Sequence, residues 1–499
     1  MPFGTPNTLD NAPVAVIDIG SNSIRLVVYA ADTRTPIPVF NEKLLCGLGR
    51  DLDRTGRLAE DGIVSAMAAL PRFIAIADAM GVARIDVLAT AAVRDAENGP
   101  EFEQEMRRRC GLAMQVLSGE EEARLSAQGV LSAIPEADGI MGDLGGGSVE
   151  LVNLSGGEEH RYATLPLGPI RQDLKVLAKP SRAQDRIDAE MGRVDWLKQG
   201  AGRPFYAVGG SWRSLARLHL AHTHYPLHVI HHYSIPGEEA VDFARFVARQ
   251  SPASLARTPG LSRRRVDTLP YAAYLIAKLM EAMGSSELVF CAYGLREGCL
   301  FDRLSANKRE EDPLMAACAQ FAVYNTEKVV DGDVLADWME LAFTGAPEEE
   351  ARLRRAACHL SDIARFEHPD YRAEHALMRV LRFPFVGVTH AGRAFLAAAV
   401  AARHSQVEDQ IAAMQTVRYL LDDAVYDRAR AVGLAIRLAY TLSGGMTALL
   451  APFRLARDGS NLVLTGPGGL DHLIGEAVER RFSVLAKALG LEARIALDD

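Results

Sequence analysis

One residue pattern occurs twice in this chain, and the repeat constrains the fold more than any other feature. Val14-Ala-Val-Ile-Asp-Ile-Gly-Ser-Asn-Ser-Ile-Arg-Leu-Val-Val28 returns as Gly139-Ile-Met-Gly-Asp-Leu-Gly-Gly-Gly-Ser-Val-Glu-Leu-Val152. At a spacing of 125 residues Asp18 meets Asp143, Gly20 meets Gly145, Ser23 meets Ser148, and Leu26 meets Leu151. Each copy runs from apolar residues through an acid and a Gly/Ser/Asn turn into a second apolar run. That pattern predicts a strand, a tight turn and a returning strand. One such hairpin could be an ordinary turn whose glycines serve left-handed φ. Two copies with the same acid and the same serine point instead to a shared task. Turns of this composition offer backbone N–H groups and hydroxyls without side-chain bulk, which suits phosphate. An acid at the strand end can hold a divalent cation beside it. Two hairpins facing each other would clamp a chain of phosphates from both sides.

Neither copy is a P-loop or a G-x-G-x-x-G dinucleotide turn. A third segment, Phe205-Tyr-Ala-Val-Gly-Gly-Ser-Trp-Arg-Ser-Leu215, has related grammar: a short strand, then Gly209, Gly210 and Ser211, then a helix start. The paired glycines would bring backbone close to a ligand at a helix N-terminus, where the dipole favours anions.

The 499 residues suit about three domains. A duplicated hairpin implies two related α/β lobes with a cleft between them. Within the first, Ile63, Met67, Leu70, Phe73 and Ile74 predict a helix from Glu60 to Met80, followed by a strand at Ile85–Thr90 that ends near Arg94. Past the charged stretch Asn307–Pro313, read as a linker, strand signals almost vanish. Helices are predicted at Asp333–Phe343, Pro347–Phe366, Asp370–Leu381, Ala391–Arg403 and Tyr426–Ser443, with a small strand pair at Leu462–Thr465 and Ala493–Leu497. The expected domains are 1–134, 135–303 and 304–499. A net charge of −9 argues against general nucleic-acid binding, so positive charge for a polyanion must be local. The polar start and the lack of a long apolar run predict neither a signal peptide nor a membrane span. Six scattered cysteines without a C-x-x-C pair suit a reducing, cytoplasmic setting.

With these hairpins and the Gly-Gly-Ser motif, the chain resembles the actin-like superfamily of sugar kinases and heat-shock ATPases. More narrowly, Asp18-Ile-Gly-Ser-Asn-Ser-Ile-Arg-Leu26, Ser118-Gly-Glu-Glu-Glu-Ala-Arg-Leu125 and Asp143-Leu-Gly-Gly-Gly-Ser-Val-Glu-Leu151 are similar to the exopolyphosphatase / guanosine pentaphosphate phosphatase family. The resemblance covers residues 14–303 well, including Tyr293-Gly-Leu-Arg-Glu-Gly298, and is looser beyond. It implies two ribonuclease-H-like lobes followed by a helical C-terminal domain, and a Mg²⁺- or Mn²⁺-dependent hydrolase that removes terminal phosphoryl groups. By position, Asp18, Ser21, Asn22 and Ser23 match the first phosphate loop; Asp143, Gly145, Gly146, Gly147 and Ser148 match the second. Arg94 matches an arginine that touches phosphate oxygens, for which a planar fork is suited. Glu150, on the same strand face as Ser148, could join Asp143 at the metal.

The run Glu120-Glu121-Glu122 has a plain reading as a helix start, with Ser118 and Glu121 forming a capping box. Spacing alone does not choose among the three acids. The family motif places the catalytic base directly before Ala123-Arg124, at Glu122, where it would activate water for phosphoanhydride hydrolysis. Polyphosphate and guanosine pentaphosphate (giving the tetraphosphate) present the same terminal bond, and motifs do not separate them. A kinase would need an acceptor-activating Asp for which no motif is found, and a non-catalytic nucleotide sensor would not need Glu122. The histidines between His219 and His232 lack metal-ligand spacing. His359-x-x-Asp362 resembles the His-Asp phosphohydrolase pair split apart, so the helical domain is expected to bind polyphosphate or form a homodimer rather than catalyse. The basic run at Arg263, Arg264 and Arg265 is either a solvated face or part of a polyphosphate path.

Overall fold

The structure is a computed structural model in which residues 12–170, 180–258, 261, 265–325, 331–405 and 411–498 are described. The chain folds as two units, Met1–Glu311 and Asp312–Asp499.

The first unit holds two sheets built to one plan. The first contains β1 (Val14–Ile19), β2 (Ser23–Tyr29), β3 (Pro38–Leu45), β4 (Arg84–Ala89) and β5 (Gln115–Val116), in the order β3-β2-β1-β4-β5. The second contains β6 (Gly139–Leu144), β7 (Val149–Ser155), β8 (Glu158–Leu165), β9 (Phe205–Val208), β10 (Tyr233–Pro236) and β11 (Glu287–Phe290), in the order β10-β11-β9-β6-β7-β8. Each begins as an antiparallel three-strand meander, and each first strand pairs in parallel with a later one, β1 with β4 and β6 with β9. The residue repeat is therefore a repeat of topology.

β1 and β6 are central strands covered on both faces, which is why they are almost wholly apolar up to their acids. The helix Glu60–Ala79 lies where helical spacing predicts it and sends Ala66, Met67, Leu70 and Phe73 into the first lobe's core with Ile17, Ile19 and Leu26. It is the one described helix long and apolar enough to cross a membrane, but that face is occupied by the core. The second core gathers Ile140, Leu151, Phe205, Trp212 and Leu275, and the Trp212 indole donates to the Ala272 carbonyl at 2.9 Å.

The helix Gly119–Ala133 joins the lobes. Leu125 packs with Val14, Val16, Val27 and Leu88 of the first sheet, while the same helix packs against β6, β7 and β8 of the second. The N-terminal turn of this shared helix, carrying the three glutamates, therefore opens where the lobes meet.

The charged stretch read as a linker contains a short helix, Ala306–Glu310, just before the break between units. The second unit is mostly helical, with Gly332–Met339, Glu348–His359, Arg372–Arg382, His390–His404 and Asp423–Ser443 near the predicted places. The helix expected to reach Phe366 ends at His359. Beyond it, Ser361 and Asp362 bond Tyr440 and Arg403 from a turn. The strand pair β13 (Asn461–Pro467) and β14 (Glu492–Asp498) is joined by β12 (Arg454–Asp458), whose charges concealed it.

Candidate active site

Both hairpin turns close the same way. Gly20 donates to the Ser23 carbonyl and Gly145 to the Ser148 carbonyl, each at 3.0 Å. The loop carbonyls are drawn outward by the segment following each meander. Gly49 donates to Ser21 O at 2.8 Å, and Cys46 and Gly47 both donate to Asn22 O at 3.1 Å. In the second copy Ile170 donates to Gly146 O at 2.9 Å and Gly168 to Gly147 O at 3.2 Å. The N–H groups of Ser21, Asn22, Gly146 and Gly147 have no backbone acceptor among the described residues. A row of outward carbonyls with unspent N–H groups opposite is an anion cradle. The two cradles face each other: a Cβ on Gly146 would stand 3.3 Å from Ser21 Cβ. None of Gly20, Gly145, Gly146 and Gly147 is in the left-handed region, so at Gly146 the requirement is room rather than φ.

One cavity of about 250 Å³ is lined by every residue of the two loops and by Gly209, Gly210 and Ser211. Gly209 sits at φ 103°, ψ 159°, and a Cβ there would press 2.5 Å from Leu144 O; the helix Gly210–His222 then starts toward the cavity.

Of the three adjacent glutamates, Glu120 and Glu121 are exposed and Glu122 is buried. Glu121 completes the capping box, receiving the Ser118 N–H at 2.8 Å and donating its own N–H to Ser118 Oγ at 3.1 Å. Glu122 instead lines the cavity. Burial pushes its carboxyl up to about 8, with Arg94 pulling it down and Asp143 raising it. Arg94 is not among the cavity-lining residues; its Nη1 reaches Glu122 Oε2 at 3.3 Å and the Leu117 carbonyl at 3.1 Å. It is thus placed to hold the glutamate.

Asp143 and Glu150 are paired across β6 and β7, and both line the cavity. Ser126 Oγ donates to Asp143 Oδ2 at 2.8 Å, and Glu150 Oε1 has no hydrogen-bond partner. Burial raises both carboxyls, with Glu122 adding to the rise at Glu150. A buried, unpartnered oxygen facing a second acid suits a hard cation. Among the described residues no three His, Cys, Asp or Glu side chains converge to hold an ion unaided.

The cations around the cavity were not singled out by sequence, save Arg265, which lay in the basic run. Arg25, Lys43, Arg213, Arg265 and Arg296 all line it. Asp18, Arg25 and Lys43 form one row across β1, β2 and β3, which sets two like charges directly opposite each other. The Lys43 residue is open to solvent, but its ammonium is hemmed in by protein; that burial, then Arg265 and Arg25, pushes it down to about 8. Burial also lowers Arg265 and Arg25 to about 10, in company with Arg213. Arg296 Nη1 approaches Asp18 Oδ2 at 3.6 Å. Positive charge crowded against itself inside a cleft favours the entry of an anion. Of the basic run, Arg263 and Arg264 lie outside the described residues.

The histidine-rich segment serves packing: His219 meets the Tyr233 hydroxyl at 2.7 Å and Glu239 at 3.2 Å. His359 and Asp362 turn to different partners, Asp333 at 3.4 Å and Arg403 at 2.9 Å.

Comparison with known proteins identifies relatives of both units. Residues 9–307 match the model of the Ppx/GppA phosphatase family, and residues 314–496 match a model described as exopolyphosphatase, C-terminal. Exopolyphosphatase 1 of Mycobacterium bovis is 28% identical over 305 residues, covering 59% of this chain and 88% of its own. Retrograde regulation protein 2 of Saccharomyces cerevisiae is 28% identical over 435 residues, 78% of this chain and 72% of its own. A crystal structure of the Aquifex aeolicus Ppx/GppA family member aligns with TM-score 0.50 at 25% identity, over 59% of this chain and 99% of that one. An exopolyphosphatase from Cytophaga hutchinsonii shares the fold, with TM-score 0.51 at 20% identity over 58% of this chain and 96% of that one.

Proposed function

The chain belongs to the Ppx/GppA phosphatase family, and from that premise we propose that it is an exopolyphosphatase, hydrolysing the terminal phosphoanhydride of inorganic polyphosphate to release orthophosphate. The observation that carries this reading is the cavity itself: two facing phosphate cradles and five cations enclose two buried glutamates, Glu122 and Glu150.

The last phosphate of the chain would lie between the loops, its oxygens taking the N–H groups of Ser21, Asn22, Gly146 and Gly147 and the hydroxyls of Ser23 and Ser148. Arg25, Lys43, Arg213 and Arg265 would neutralise the phosphates behind it. Glu122, oriented by Arg94, would take a proton from water as the water oxygen attacks the terminal phosphorus. The P–O anhydride bond breaks with its electron pair going to the shortened chain, whose new charge the cleft cations stabilise. Such a base contributes on the order of 10²–10⁴ in rate. Asp143 and Glu150 have the oxygen chemistry to hold Mg²⁺ or Mn²⁺ together with phosphate oxygens and water, and the ion would supply charge neutralisation at the transferred group.

No aromatic side chain is among the described residues lining the cavity. Among the described lining residues a guanine would meet arginine faces but no aromatic ring, a charge-rich setting that favours a plain phosphate chain over guanosine pentaphosphate. The test is orthophosphate release from long polyphosphate, guanosine pentaphosphate and ATP, with and without Mg²⁺. Turnover of either nucleotide without turnover of polyphosphate would overturn the proposal.

A further inference from the structure

Arg296 differs from its neighbours in the cleft in how its hydrogen bonds are spent. It stands in the first turn of the helix Leu295–Arg303 and lines the cavity together with both phosphate loops and Glu122. Its Nη1 is 3.6 Å from Asp18 Oδ2 and its Nε 3.9 Å from Glu297 Oε1, both beyond hydrogen-bond reach. The Nε–H is buried and has no acceptor among the described residues. Arg213 and Arg25 are tied down by contrast. Arg213 donates from Nε to the Gly209 carbonyl at 3.2 Å and from Nη1 to the Ala292 carbonyl at 3.3 Å, and Arg25 Nε donates to Asn41 Oδ1 at 2.8 Å.

Two buried residues keep Arg296 in that state. A carboxylate beside a guanidinium ordinarily closes onto it as a bidentate pair. Glu297 is prevented from doing so because both its oxygens are engaged elsewhere: the Tyr29 hydroxyl donates to Oε1 at 2.7 Å, and the Gly294 N–H donates to Oε2 at 3.1 Å. Burial, then the charge of Glu297, holds the Tyr29 phenol well above its ordinary value, so it remains a donor. Burial opposes the charge on Arg296, and Glu297, Tyr29 and Asp18 more than offset that. The guanidinium is thus balanced in charge while neither carboxylate takes its hydrogen bonds.

Resting on the hydrolytic reading above, we propose that Arg296 is a catalytic residue that takes the oxygens of the transferred phosphoryl group, and that Tyr29 and Glu297 are positioning residues that keep its donors unspent until then. As the water oxygen bonds to phosphorus, with its proton passing to Glu122, the anhydride P–O bond breaks and its electron pair leaves with the shortened chain. Charge shifts among the oxygens around phosphorus at that moment, and donors already in place meet it without reorganisation. Without the Tyr29 hydroxyl, Glu297 Oε1 is released toward Arg296 and spends those donors on a salt bridge.

A double-mutant cycle on the full-length protein tests this, with orthophosphate release measured across polyphosphate concentration. Arg296→Ala should lower kcat by about 10²–10³-fold while KM changes by less than about threefold. Tyr29→Phe should lower kcat by about tenfold and cost nothing further in the Arg296→Ala background, because both act through one guanidinium. A packing role for Tyr29 would add its loss to the double variant, and that result overturns the positioning. A raised KM at unchanged kcat in Arg296→Ala overturns the catalytic role. Should either variant fail to fold by circular dichroism, Arg296→Lys or Glu297→Gln takes its place in the cycle. The parent is first offered polyphosphate, guanosine pentaphosphate and ATP. Turnover of a nucleotide alone refutes the polyphosphate reading and moves the cycle to that substrate, whereas a parent inert on all three refutes both.

Discussion

Replacing Glu122 by glutamine separates two consequences of burying one carboxyl. The first is catalytic. Gln keeps the shape and can still meet Arg94, but it cannot accept a proton from water, so turnover should fall by about 10²–10⁴-fold while polyphosphate still binds. The second is thermodynamic. In the folded protein burial raises Glu122 from 4.5 to about 8. Between those values the folded chain holds a proton that the unfolded chain has released, so stability declines as pH rises through that window. Each pH unit of displacement is worth about 1.4 kcal/mol, giving an upper bound of roughly 4 kcal/mol near pH 7.5. Water penetration and sharing of the proton with Glu150 reduce this to the order of 2 kcal/mol. Gln at this position does not titrate. The variant should therefore melt with the parent at pH 4.5 and roughly 2–6 °C above it at pH 8. The same displacement makes parent activity rise with pH on the acidic side of 8. Phosphate release and thermal melts at the two pH values check both halves. A rate loss under tenfold would remove Glu122 from the base role, and an equal melting difference at both pH values would refute the buried-proton argument.

Asp143→Asn should lose at least about 10²-fold in activity and shift the Mg²⁺ requirement upward, measured by metal titration after chelation; an unchanged requirement would take Asp143 out of the metal site. Lys43→Met should weaken polyphosphate binding and flatten the rise in KM expected in the parent above about pH 8, where Lys43 loses its charge. It should also stabilise the empty protein by a few tenths of a kcal/mol, because Arg25 no longer faces a like charge across the strands. A fragment ending at Glu311 should unfold cooperatively in a circular-dichroism melt and still cleave short polyphosphate; a folded but inert fragment would mean the helical unit completes the active site.

Much of the architecture was legible because the chain repeats itself. The alternation of apolar run, acid, small turn and apolar run fixed β1 with β2 and β6 with β7, and both acids project into one cavity. What spacing could not rank was Glu120, Glu121 and Glu122, because a helix start explains all three; tertiary burial singles out the third. The cations were missed for a related reason. Arg25 and Lys43 sit on strands where a charged residue reads as a solvated face, and only cross-strand register shows them side by side. Arg213 and Arg296 lie on helices from distant parts of the chain, and no local pattern announces their convergence. β12 was overlooked because Arg454, Arg457 and Asp458 mask its single buried leucine, Leu455.

The phosphate cradles are written in backbone, and that alters what a map of damaging substitutions would show. The residues that keep the carbonyls turned outward, Cys46, Gly47, Gly49, Gly168 and Ile170, do so through main-chain N–H groups. A side chain at position 168 would collide with the Gly146–Gly147 backbone and tilt the second cradle. By contrast, exchanging Asn22 leaves its N–H where it was. A saturation screen for lost hydrolysis would therefore mark supporting positions more heavily than some that touch substrate, and the mapped footprint would spread wider than the ligand itself.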